Sequence, residues 1–389
     1  MGAFPSAACL AELNFESNPM RMSRRATLAA GLASTLPQPV TAAEALDIYI
    51  GCYTDRARTG IWRCRLETQT GRLSAAEVVA HTDNVSSMAI HPNGRWLYAV
   101  NEVGNFRGAG VGSVTAFEIG AGGPLKELGQ VSSFGSGPCF ISFDPAARTA
   151  YVANYGGGSV AALRIETDGR LSEPLGGVVH PKPGGTAPHA HAIHVTPDGR
   201  TAWASDLGLD RLTAYPVQPT LGTLVADGAA HVALPRGSGP SNLCIHPSGN
   251  WLYALHETDN RVTTIDLRES PRVLGSVNTL PIGFEGKSWS GDVLCHPDGH
   301  VLYTSNCGHQ SISRYRIAAD GRPIPVDHTP SGGLIPRGFI LNRDFLIAVH
   351  ADSGHVQVFR IQAGGRLEAI RSTLNVARPI CVRIAPSRV

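Results

Sequence analysis

The sequence predicts an all-β chain folded as a seven-bladed β-propeller with four-stranded blades, closed by its C-terminal strand. Three observations predict it. A turn-and-aromatic motif recurs at a spacing of about fifty residues, an alternating strand follows each copy, and the two chain ends carry complementary half-units.

The motif is an x-Pro turn, mostly x-Pro-x-Gly, with an aromatic residue six positions after the proline. Its copies are His91-Pro92 with Tyr98, Asp144-Pro145 with Tyr151, Thr196-Pro197 with Trp203, His246-Pro247 with Tyr253, and His296-Pro297 with Tyr303. Tyr49 precedes this series at the same period and Ile347 follows it, so the strand occurs seven times. After each comes a run of period-two alternation, such as Ser113-Val-Thr-Ala-Phe or Arg211-Leu-Thr-Ala-Tyr, the mark of a strand with unlike faces. A short apolar strand precedes each turn, as in Met88-Ala-Ile. The first unit lacks that strand, and Ile380–Ile384 with Pro386 supplies it from the far end of the chain. Closing the ring in this way removes two sheet edges that would otherwise invite pairing with other chains. A solenoid of equal period gives no reason for complementary termini.

Composition agrees with many short elements joined by tight turns. The 389 residues include 44 glycines and 27 prolines, spread along the chain, and 42% are hydrophobic. With 33 basic against 31 acidic residues, the formal charge of +2 carries no footprint for a phosphate backbone, so nucleic acid is excluded as a partner. The eight cysteines contain no C-x-x-C pair and sit mostly in apolar runs, which argues against thiolate metal sites and against a disulfide framework.

Residues 1–45 read as an export signal or disordered leader, and 46–389 as the propeller domain. From Met22 a charged start with Arg24-Arg25 leads into a short apolar stretch and then Val40-Thr41-Ala42-Ala43, a pattern close to the twin-arginine class. Use of this leader implies a periplasmic protein, and otherwise a cytoplasmic one. No run approaches the ~20 apolar residues that span a bilayer, so no membrane association is expected.

The shared register makes the channel mouth readable. Six positions before each turn proline, where the innermost strand begins, stand Ser86, Cys139, His191, Ser241, Gly291 and Ile380, with Arg337 in the seventh unit. Nine positions after it stand Asn101, Asn154, Asp206, His256 and Asn306, with His350 equivalent, a ring of six polar groups expected to face the mouth. Glu102 and Glu257 follow two of them. Pro188-His189-Ala190-His191-Ala192-Ile193-His194 sets two histidines toward the channel, suited to general-base chemistry, more weakly to a metal, or to a strand histidine satisfied by a nearby carbonyl. Arg337 projects from an inner strand, where an unpaired cation is costly; it serves either an internal salt bridge to Glu257 or an anionic substrate group.

These residues resemble the propeller-type lactonases, the family of bacterial 6-phosphogluconolactonase and the carboxymuconate-cyclising enzymes. The resemblance covers about residues 48–386. Its most specific pieces are Tyr98-Ala-Val-Asn-Glu-Val-Gly-Asn-Phe, Gly137-Pro-Cys, Val152-Ala-Asn-Tyr-Gly-Gly-Gly-Ser-Val, Pro188-His-Ala-His, Asp206-Leu-Gly-Leu-Asp-Arg-Leu, Ser305-Asn-Cys-Gly-His-Gln-Ser-Ile and Pro336-Arg-Gly-Phe. It implies catalytic roles at His189, His191, Glu257 and Arg337, with no metal and no organic cofactor. Substrate contacts are expected at Glu102, Asn154, Asp206, Ser241, Lys287 and Asn306. The chain departs from the family at Gly239-Pro240-Ser241-Asn242 and at Cys307, where arginines are usual, and at Gly286-Lys287-Ser288-Trp289. Losing two cations bears on a phosphorylated substrate more than on the fold.

The expected activity is therefore hydrolysis of a small sugar-derived or carboxylated lactone. Two alternatives stand beside it: cyclisation of a muconate by the same groups, and a non-catalytic propeller that binds a ligand or protein at the mouth.

Overall fold

The repeat between Val85 and Ser132 shows how one unit becomes one sheet. The inner strand Val85–Ile90 turns at His91–Arg95 into Trp96–Asn101, which is buried along its whole length, and Ser113–Ile119 and Leu125–Ser132 follow by antiparallel pairing. In the turn the His91 N–H donates to Trp96 O and Gly94 adopts a φ of 69°, a conformation that favours glycine.

The computed structural model describes residues 45–54 and 60–386. Among these, seven sheets of four strands each form, and in six of them the strands follow chain order outward from the channel. The remaining sheet pairs Pro379–Ile384 with Ala45–Cys52, so the last strand is the innermost strand of the first blade, as the complementary termini predict. Apolar clusters fill the seams between neighbouring blades; one joins Tyr49 and Ile61 of the first blade to Leu97 and Phe117 of the second. The leader, with Arg24 and Arg25, lies outside the described residues. The seven described cysteines are free thiols, five of them buried.

The motif aromatics do more than fill space. Five tyrosines donate their hydroxyls to a glycine carbonyl in the outer hairpin of the next blade: Tyr49 to Gly123 (2.9 Å), Tyr98 to Gly169 (2.9 Å), Tyr151 to Gly222 (2.7 Å), Tyr253 to Gly321 (2.9 Å) and Tyr303 to Gly365 (2.6 Å). The fourth and seventh blades carry Trp203 and Ile347 there and make no such bond. Three turn histidines add a second link. Nε2 of His91, His246 and His296 meets the carbonyl of Ala147, Gly299 and Arg343 in the following turn at 3.0, 2.9 and 3.1 Å. All of these bonds lie at the rear end of the ring, where the proline turns are.

The mouth is built differently. In each blade the pairing of the inner strand with its neighbour slips at its first residues, leaving Ser86, Cys139, His191, Ser241, Gly291, Arg337 and Ile380 within a bulge. A bulge bends the strand and re-aims the side chains it contains. The expected ring of inner-strand positions is thus realised by one irregularity repeated seven times.

Candidate active site

Three charged or polar side chains from three blades meet at the mouth. The Glu257 carboxylate places Oε2 3.6 Å from His191 Nε2 and 3.6 Å from Arg337 Nη1, so it is shared between an imidazole and a guanidinium. Both distances exceed hydrogen-bond length. His191 and Glu257 are nearly buried, whereas 29% of the Arg337 side chain is exposed. The expected internal salt bridge is therefore present, and the guanidinium still faces solvent.

Burial lowers the His191 pKa to about 4, against the pull of Glu257, so the imidazole is neutral at physiological pH. His189 is oriented by other contacts. Its ring stacks on Tyr155 with centroids 4.4 Å apart, and its Nδ1 lies 3.1 Å from the Tyr155 carbonyl. A carbonyl only accepts, so Nδ1 carries the proton and Nε2 is the basic nitrogen. The backbone of His189 is held on both sides, by the Asp206 carboxylate on its N–H (2.9 Å) and by Leu207 N–H on its carbonyl. Tyr155 also meets the His191 ring edge-on at 5.9 Å.

On the opposite side of the mouth Tyr53 donates its hydroxyl to Glu102 Oε2 at 2.8 Å. Burial raises the Glu102 pKa above the ordinary carboxylate value, although hydrogen bonds from Tyr53 and Ser86 and the charge of Arg337 act against it. The Cys139 thiol, in the third-blade bulge, is also pushed up by burial and stays protonated, with Sγ 3.2 Å from the His191 carbonyl. Deeper in the channel Asp292 accepts hydrogen bonds from the N–H of Val293 and Phe339, and burial raises its pKa to about 6. Among the described residues no group of three His, Cys, Asp or Glu side chains is arranged to hold a metal ion.

The ring expected nine positions after each proline does not face the mouth. Asn154, Asp206 and Asn306, like Asn101, are fully buried and bind within the fold. Asn154 Nδ2 donates to the Ser133 carbonyl and Asn306 Nδ2 to the Thr279 carbonyl, tying the strand end to the segment that enters the inner strand of the same blade. The Asp206 carboxylate meets the imidazole of His180 and the N–H groups of His189 and Leu209. Burial pushes that carboxyl up, but these bonds outweigh it and hold the pKa below the ordinary range. Ser241 is another correction: it is fully buried and donates to the Leu255 carbonyl. Lys287 is exposed on the loop before the sixth inner strand.

The reason is strand periodicity. Successive side chains point to opposite faces, so a ring read one residue early shows the wrong face. Four residues after each motif aromatic stand Tyr53, Glu102, Tyr155, Leu207, Glu257 and Cys307, with Ala351 in the seventh blade, and five of them, Tyr53, Glu102, Tyr155, Glu257 and Cys307, lie within electrostatic reach of Arg337. Tyr53 and Tyr155, neither of them among the expected site residues although Tyr155 lies within a quoted motif, are found by that offset. Cys307 is fully buried beside the Pro336 carbonyl, so a small neutral side chain fills a position where the resemblance calls for arginine.

Comparison with known proteins gives a consistent set. The profile described as lactonase, 7-bladed β-propeller, matches residues 47–384. The 6-phosphogluconolactonase of Bacillus subtilis (strain 168) is 29% identical over 347 residues, which is 86% of this chain and 97% of that protein. That of Erwinia tasmaniensis is 29% identical over 296 residues, 75% of this chain and 85% of its own. Among solved structures, the periplasmic gluconolactonase of Pseudomonas aeruginosa matches with a TM-score of 0.79 and 27% identity, covering 88% of this chain and 99% of that one.

Proposed function

The chain belongs to the seven-bladed β-propeller lactonase family, and on that premise we propose that it is a hydrolase opening the lactone of a sugar acid at the mouth of the channel. One observation carries the reading: Tyr155, on which the His189 ring stacks with Nδ1 tied to a carbonyl, also meets His191, and His191 shares the Glu257 carboxylate with a solvent-facing guanidinium.

In the proposed reaction His189 Nε2 takes a proton from water as the water oxygen bonds to the lactone carbonyl carbon. Arg337 stabilises the oxyanion that develops, a role for which a planar, permanently charged donor is suited. The ring C–O bond then breaks, and the leaving oxygen recovers the proton from His189. Glu257 keeps Arg337 aligned, and neutral His191 closes the other side of that carboxylate. Tyr53 and Glu102 face the substrate hydroxyls across the mouth. Lysine or arginine at the position of Ser241 or Cys307 would add charge for a phosphate; here both are small and neutral, which supports an unphosphorylated lactone.

Residues 46–389 as the catalytic domain and 1–45 as a periplasmic export leader belong to the same proposal, supported by Arg24-Arg25 and by the periplasmic relative. Fractionation with N-terminal sequencing of the mature chain tests it. For the activity, purified protein is assayed on aldonic δ-lactones with and without a terminal phosphate. Hydrolysis of the unphosphorylated lactone, reduced ~100-fold or more by His189→Ala and by Arg337→Ala, is the expected result. Equal rates in wild type and both variants would remove these residues from the mechanism.

A further inference from the structure

The blade that supplies both mouth histidines departs from the repeat behind the site. After the outermost strand of several blades, one residue donates its N–H to the turn before the preceding strand; this residue is Ser133, His180, Leu234, Thr279, Ser331 or Val376. His180 is the imidazole of that set, and it is fully buried with no side-chain exposure. Its Nδ1 meets Asp206 Oδ2, and its Nε2 lies 2.9 Å from the Tyr215 hydroxyl. The partners fix the tautomer: Nδ1–H donates to the carboxylate, and Nε2 accepts from the phenol. Asp206 Oδ1 in turn takes the N–H of His189 and of Leu209 at 2.9 and 3.0 Å.

A buried chain therefore runs Tyr215, His180, Asp206, His189. Where the third and sixth blades place Asn154 and Asn306 to bind a carbonyl through their amide N–H, the fourth places a carboxylate that can only accept. In five blades the residue just before the inner strand, namely Asn84, Gly137, Gly239, Ile335 or Arg378, has a φ between 43° and 61°, whereas His189 in the fourth blade and Trp289 in the sixth are outside that left-handed group; of these two, only His189 has its N–H held by a carboxylate from its own blade.

We propose that His180 is a positioning residue for catalysis: through Asp206 it sets the entry of the fourth inner strand so that the His189 ring lies over Tyr155 with Nε2 toward substrate. The inference rests on the reading of His189 as the base. His180 touches no substrate, and its effect is on the geometry of the proton transfer, not on binding.

The test uses the full chain with His180→Ala, His180→Asn, which restores a donor toward Asp206, and Tyr215→Phe. His180→Ala is expected to lower kcat by about 10- to 100-fold with KM little changed, as a misplaced base would. His180→Asn recovers most of that loss. Tyr215→Phe costs about 2- to 10-fold in kcat, the worth of one neutral hydrogen bond, and carries the test if His180→Ala does not fold. Long-range proton–nitrogen NMR of His189 gives a readout independent of turnover: one Nδ1–H tautomer in wild type, and a mixture in His180→Ala. A wild-type kcat and a single tautomer in folded His180→Ala, or no recovery in His180→Asn, overturns the proposal. Failure of His189→Ala to slow hydrolysis would instead strike the base assignment, while the tautomer spectrum still decides the positioning.

Discussion

The two ends of the propeller use the same repeat in opposite ways. At the rear, Tyr49, Tyr98, Tyr151, Tyr253 and Tyr303 make one bond to the next blade over and over, and three turn histidines repeat a second. At the mouth only the backbone repeats, a bulge in every inner strand, while the residues within those bulges are unlike, namely Ser86, Cys139, His191, Ser241, Gly291, Arg337 and Ile380. Uniform bonds hold a ring together; unlike groups at equivalent positions make a site. Polar atoms tell the same story. His191 Nδ1 and Glu257 Oε2 are buried without a hydrogen-bond partner, whereas the rear tyrosines and the turn histidines are satisfied.

The largest break in this contrast should come from the closing strand. Removing residues 379–389 strips the first blade of its inner strand and opens two edges. Insoluble protein, or loss of the cooperative unfolding transition, is the expected result; a soluble chain that unfolds at the wild-type urea midpoint would mean that closure is dispensable.

Acid should act mainly through the channel side. Burial lowers His191, His194 and His350 each to about 4 from an ordinary value of 6.5. Below 6.5 the unfolded chain takes up protons that these imidazoles refuse, so their contribution is complete above that pH and is lost as the pH falls toward 4. Asp292, raised to about 6 from 3.8, runs the other way between those values, because the native carboxyl keeps a proton that the unfolded one gives up. Glu102, also raised, acts with Asp292, while His231 and His309, also lowered, act with the other imidazoles, so five groups oppose two. The urea midpoint is therefore predicted to fall between pH 6.5 and 4, and a midpoint constant or rising over that interval would contradict the burial of the imidazoles.

The rear bonds should each matter less. Tyr98→Phe or Tyr253→Phe deletes one hydroxyl and leaves a glycine carbonyl unpaired, at a cost of about 1 to 2 kcal/mol in unfolding free energy. Trp203→Phe at the fourth blade removes no such bond, so any loss there reflects packing alone. A Tyr253→Phe chain that unfolds at the wild-type urea midpoint would show that the hydroxyl contributes nothing.

The rear end was legible in the sequence because it repeats. The x-Pro turn, the aromatic six positions later and the alternating strand are local signals, and together with the complementary termini they yield seven blades and the closing strand. The mouth was legible only in part. His191 and Arg337 could be placed because the offset from the proline reaches the inner strand directly. The second ring lies one residue beyond Asn154, Asp206 and Asn306, whose polarity marks side chains that bind carbonyls and N–H groups inside the fold. Tyr53 and Tyr155 look like ordinary strand-end aromatics until the ring is closed. The chain from Tyr215 to His189 joins residues that no spacing relates, and only tertiary structure brings them together.

The division of labour between the two ends is tested most directly by measuring kcat/KM on an unphosphorylated aldonic δ-lactone beside the urea midpoint in Arg337→Ala and Tyr253→Phe. The account predicts that Arg337→Ala loses ~100-fold or more in rate with a midpoint near wild type, and that Tyr253→Phe keeps its rate and loses stability. Full activity in Arg337→Ala, with the rate lost in Tyr253→Phe instead, would contradict it.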